Sequence, residues 1–78
     1  MIPDPTPVAV ATARQRAGHT QSQAAAAVGV LPRQWHRWEA GDGSIPLAAW
    51  WLYLLRSGQA ALADLPAIPE RQRAASVR

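Results

Sequence analysis

The sequence has no cysteine and no lysine, and little acid. Without cysteine there is no disulfide and no thiolate metal site to stiffen the fold. Without lysine, all eight basic residues are arginine; against five acids they leave a formal net charge of +3. Guanidinium groups suit bidentate contact with phosphate or guanine. A GC-rich genome would produce the same usage, so charge alone decides little. Long hydrophobic runs are also missing: "IPLAAWWLYLL" is too short to span a bilayer. The opening "MIPDPTPVAV" carries an acid and three prolines in place of a basic start and an apolar stretch, so no targeting signal is expected. These absences point to a soluble, cytoplasmic protein without membrane association. There is no Ser/His/Asp cluster, no paired carboxylates and no phosphate-cradling glycine loop, which argues against an enzyme. His19 and His36 lack the close carboxylate or cysteine partners of a metal site, so neither metal nor cofactor is expected.

A length of 78 residues sets the scale at one domain with a small core. Apolar residues make up 49 % of the chain, but many are alanine, so four tryptophans and the leucines must supply most of the hydrophobic stabilisation.

Punctuation by proline, glycine and capping residues divides the chain. Residues 1–7 alternate proline with polar groups and predict a flexible arm. A helix is expected from Pro7 to Ala17, with Val10, Ala13 and Ala17 on one stripe and Gly18 as its stop. Thr20 and Gln23 form a capping box for a second helix. Its alanine run propagates helix and keeps the surface thin enough for another helix to approach. Gly29 breaks it after Val28. Leu31 takes the next N-cap, where a hydroxyl or carboxamide would stabilise by about 1 kcal/mol more. Pro32 suits the first helical position and holds Leu31 extended. That third helix runs to Ala40, and Gly41 stops it. After the loop "GDGSIP", a fourth helix is expected from Pro46 to Arg56, with Ala48, Trp51, Leu52 and Leu55 facing inward. "SGQAALADLP" adds a short helical turn or two, ended by Pro66. Residues 66–78 have little to bury and predict a basic, disordered tail. No strand pattern or repeat is present. The expected class is all-α, a compact bundle of four to five short helices spanning residues 8–65.

On a wheel at about 100° per residue, Arg33, His36 and Arg37 of "RQWHRWEAG" share one arc and Trp35 and Trp38 oppose them. One face is aromatic and should be buried; the other is cationic and should be solvated. Two short helices joined by a glycine turn, the second amphipathic in this way, describe a helix-turn-helix unit.

Residues Gln21 to Ala40 resemble the twenty-residue helix-turn-helix of the lambda-repressor/Cro type, the xenobiotic-response-element family. Ala25 sits where the two helices touch and Gly29 at the turn. Ala24, Val28, Val30, Trp35 and Trp38 fill the apolar positions. The opening "TQ" and closing "WEAG" occur at the family's spacing, and with Arg14 the resemblance covers residues 8–56. "RQWHRWEAGDGSIP" is also similar to a segment of small phage and mobile-element regulators, including anti-CRISPR-associated repressors.

The resemblance implies a role for each matching position. Arg14 pairs with Glu39 and locks the unit. Thr20 and Gln21, at the start of the helix that crosses the DNA backbone, contact phosphate, and Ser44 lies where a second phosphate stretch is held. The base-reading positions are Pro32, Arg33 and Arg37, with Gln34 and His36 beside them. Proline cannot donate a hydrogen bond, a departure from the family that moves the weight to the arginines and predicts guanines in each half-site. Asp42 repels phosphate and serves better as a turn residue.

Trp50, Trp51 and Tyr53 are close neighbours in sequence and do not all fit inward, so Trp50, with Tyr53 and Leu54, is expected at a dimer contact. The function implied is a sequence-specific double-stranded DNA-binding transcriptional regulator. In this reading it is an autoregulatory repressor that binds an inverted-repeat operator as a homodimer. No small-molecule effector is expected. The alternative is a protein-interaction module, an antitoxin or small inhibitor on the same scaffold, which predicts an exposed Trp50/Tyr53 surface. A membrane-surface peptide is disfavoured because the arginines do not concentrate on one long helix. Arg71, Arg73 and Arg78 of the tail add at most weak attraction for DNA.

Overall fold

The computed structural model describes residues 2–68, which form four α-helices and one short 3-10 turn. The helices are α1 (Pro7–Ala17), α2 (Gln21–Ala27), α3 (Pro32–Ala40) and α4 (Leu47–Arg56), and the turn is Leu62–Asp64. Arg71, Arg73, Arg78 and most of the segment expected as a tail lie outside the described residues. Among the described residues, no helix is long and apolar enough to cross a membrane.

The first two helices each start at a threonine whose side chain accepts from a free backbone donor of the first turn. Thr6 caps α1, its Oγ1 accepting from the Ala9 N–H at 3.1 Å, and Pro7 follows with no donor to satisfy. The box at α2 closes in both directions. Gln23 N–H donates to Thr20 Oγ1 at 3.1 Å, and Thr20 N–H donates to Gln23 Oε1 at 2.8 Å. At seven residues α2 is too short to persist alone. Packing holds it: Ala24 and Ala25 are fully buried, and its most extensive helix contact is with α3.

The turn between α2 and α3 depends on Gly29. Its φ of +75° is left-handed, which a residue with a Cβ adopts only with strain. That conformation lets Gly29 N–H reach Ala26 O at 3.2 Å and Val30 N–H reach Ala25 O at 3.0 Å, so two end carbonyls of α2 are satisfied as the chain reverses. The paired bonds form a tight stop, and Val30 and Leu31 lead directly into α3.

The core is centred on Trp35, Trp50, Tyr53 and Val10, all at most 1 % exposed, with Trp38, Ile45 and Leu54 around them. The Trp35 and Tyr53 rings lie 4.8 Å apart, and Trp38 meets Trp35 edge-on at 5.7 Å.

One expectation is corrected here. The inward side of α4 is Trp50, Tyr53 and Leu54, while Ala48 and Leu52 are exposed and Trp51 and Leu55 are half-buried. Trp50, Tyr53 and Leu54, expected at a dimer contact, are interior to the chain. The first nine residues of α4 are all apolar, so no polar residue marks its outer side. The side-chain polar atoms of Trp50 and Tyr53 find partners in the interior. Trp50 Nε1 donates to Pro3 O at 2.8 Å, and the Tyr53 hydroxyl lies 2.9 Å from His19 Nδ1. The first of these bonds brings the segment around Pro3 onto the domain. Residues 2–6 lie against the domain, held by the Pro3 carbonyl and by Ile2 packed on the core.

Candidate nucleic-acid interface

The sequence of α3 makes a helix with two unlike sides. Trp35 and Trp38, three residues apart, enter the core. Pro32, Arg33, His36, Arg37 and Ala40 are exposed, and Gln34 is half-buried. Among the described residues, Arg33, His36 and Arg37 make no side-chain hydrogen bond or ion pair with the rest of the chain. Arg33 and Arg37 sit one turn apart, about 6 Å along the axis. The only acid in α3 is Glu39, and it is neutralised internally by Arg14. The outer side of α3 therefore presents two guanidinium groups with no carboxylate among them.

Glu39 fixes how that side is presented. Arg14 Nε donates to Glu39 Oε2 at 2.6 Å and Arg14 Nη2 to Oε1 at 3.1 Å, a two-pronged contact from α1. Gln21 Nε2 donates to Oε1 at 3.1 Å from the start of α2, and Trp35 Nε1 donates to Oε2 from one turn earlier in α3. Arg14 Nη1 also donates to His19 O at 3.1 Å, tying in the turn before α2. One carboxylate thus joins three helices. Burial pushes the Glu39 carboxyl up, but the bonds from Arg14, Gln21 and Trp35, together with the charge of Arg14, outweigh it and hold it below the usual carboxylate value. The bond to Glu39 raises Arg14 despite its own partial desolvation. Burial raises the Tyr53 phenol.

The expected phosphate-contacting residues are placed unequally. Thr20 and Ser44 are exposed, Thr20 at the cap of α2 and Ser44 in the loop after α3. Gln21 is half-buried and spends an amide hydrogen on Glu39, leaving one amide hydrogen for any outside partner. Sequence reasoning missed Gln21 and Trp35 as donors to Glu39. The Trp35 contact had a signal, because residues four apart on a helix share a face. Gln21 had none, since its partner lies 18 positions away in another helix.

Among the described residues, surface hollows lie against the N-terminal segment, α1, α2, α4 and the turn after it.

Residues 8–75 match the family model of the helix-turn-helix domain. A search of curated proteins found no match. The match takes in α1 to α4 and agrees with the short α2, glycine turn and two-sided α3 described above. The chain belongs to the helix-turn-helix domain family, a family of DNA-binding modules.

Proposed function

We propose that this protein is a sequence-specific regulator of transcription, of the lambda-repressor/Cro type, that represses its own operon from an inverted-repeat operator. The observation that carries this reading is the division of α3: Trp35 and Trp38 are buried, while Arg33, His36 and Arg37 are exposed and uncommitted. In a helix-turn-helix the second helix enters the major groove and the first crosses the backbone. Arg33 and Arg37 then each reach guanine O6 and N7 through paired hydrogen bonds, with Gln34 and His36 beside them. Thr20, the remaining amide hydrogen of Gln21, and Ser44 hold phosphates and set the register.

One recognition helix spans only a few base pairs, so the reading includes a two-fold dimer on half-sites about 34–36 Å apart. Because Trp50, Tyr53 and Leu54 are interior, the dimer surface is assigned to the outer side of α4, where Leu47 is 54 % and Leu52 41 % exposed beside half-buried Trp51. An occupied operator over a promoter excludes polymerase. The interaction-module alternative loses its main support, since the Trp50/Tyr53 surface it requires is inside the domain.

Footprinting of the full chain on the DNA upstream of its own gene tests the proposal. Two symmetric protected stretches, each containing guanines whose replacement abolishes protection, are expected. Uniform protection indifferent to sequence would contradict it.

A further inference from the structure

We propose that Leu31 reads the 5-methyl group of a thymine beside the guanine contacted by Arg33, an inference that rests on the DNA-reading role assigned to α3 above. A single exposed leucine ordinarily needs no explanation. Two features set this one apart.

The first is its position. Leu31 is the N-cap of α3, with extended backbone at φ −75° and ψ 150°, and no side chain accepts a hydrogen bond from the first turn. The two preceding helices both have threonine at this position, and both threonines accept such a bond. A hydroxyl here would help the fold. Leucine gives no cap, and it gains little burial in return, since it is 61 % exposed. Folding alone gives no reason for the residue.

The second is its neighbourhood. Leu31 and Pro32 form an exposed apolar pair that continues directly into exposed Arg33, at the N-terminal end of the helix. That end is the part of a recognition helix that meets base edges. The one apolar group a base pair shows in the major groove is the thymine methyl. Leu31 precedes Arg33 by about 3 Å along the helix axis, close to one base step of about 3.4 Å. An arginine on guanine and a leucine on the adjacent methyl make a two-residue reader. Pro32, which has no donor to offer a base, lies between them and keeps Leu31 extended.

Selection from a randomised duplex library with the full chain, followed by replacement of each thymine in the enriched half-site with deoxyuridine, tests the assignment. The replacement removes only the methyl group. Wild-type protein should lose about fourfold in affinity at one position per half-site, next to the guanine that Arg33 requires. Leu31→Ser should bind the thymine and uracil sites equally. The same variant should melt about 4–8 °C higher, because the new hydroxyl caps α3, so its lost discrimination is not misfolding. The proposal is overturned if uracil is tolerated throughout an enriched site, if Leu31→Ser still discriminates, or if that variant melts lower and so shows Leu31 to be a packing residue. Enrichment of no sequence at all would remove the DNA-reading role itself, a result distinct from the other three.

Discussion

Glu39 is the residue on which the geometry of the domain turns. Its two oxygens receive Arg14, Gln21 and Trp35, so donors from α1, α2 and α3 converge on a side chain only 10 % exposed. Replacing a partly buried ion pair by apolar groups is often neutral, but removing one partner leaves the other desolvated and unpaired. Arg14→Ala should therefore lower the melting temperature by about 8–16 °C, corresponding to about 2 kcal/mol. An unchanged melting temperature would remove the pair from any structural role. The sign of the pH dependence follows from the lowered Glu39 value. The unfolded chain binds the proton more readily than the folded one, so the stabilisation is present above the ordinary carboxylate value of about 4.3 and is lost as pH falls through the folded value. Melts between pH 7 and pH 2 should show this acid-side loss in the wild type and a flatter profile in Glu39→Gln. Parallel profiles would show that other carboxyl groups dominate.

At the scale of elements, α3 and α4 contrast in how much their residues announce. In α3 the tryptophans and arginines alternate at helical spacing, so both sides are legible in the sequence. The boundaries of α1, α2 and α3 were legible for a similar reason: Pro7, Gly18, Thr20, Gly29, Pro32 and Gly41 act locally, each through its own backbone preference or capping group. In α4, "LAAWWLYLL" offers no polar side, and the helical pattern admits two opposite orientations. Tertiary bonds decide between them, and those bonds join distant positions. Trp50 meets the Pro3 carbonyl across 47 residues, and Tyr53 meets His19 across 34. The first of these bonds also ties Pro3 to α4. A pair of variants separates the two orientations. Trp50→Ala should cost about 3–5 kcal/mol in denaturant unfolding of the monomer, whereas Leu52→Ala, on the outer side, should stay within about 0.5 kcal/mol. Equal losses at both sites would contradict the orientation described here.

For the whole molecule, a small core and a short α2 leave stability modest, and the proposed reading surface is the exposed side of α3. Pairing through the outer side of α4 predicts that sedimentation equilibrium detects a dimer that Leu52→Asp abolishes without lowering the monomer's melting temperature. A monomer at all concentrations, with or without operator, would remove the two-fold reading. The central claim is that Arg33 and Arg37 stand free on α3 to read bases. The most direct measurement is the affinity of the full chain for its selected duplex and for a scrambled duplex across a salt series, with wild type beside Arg33→Ala/Arg37→Ala. The wild type should prefer its site by about 10³-fold or more, with log K falling by about 0.9 per phosphate contact against log salt. The double variant should keep its fold and lose the preference. Equal affinity of the wild type for both duplexes, or a double variant that discriminates as the wild type does, would contradict the account.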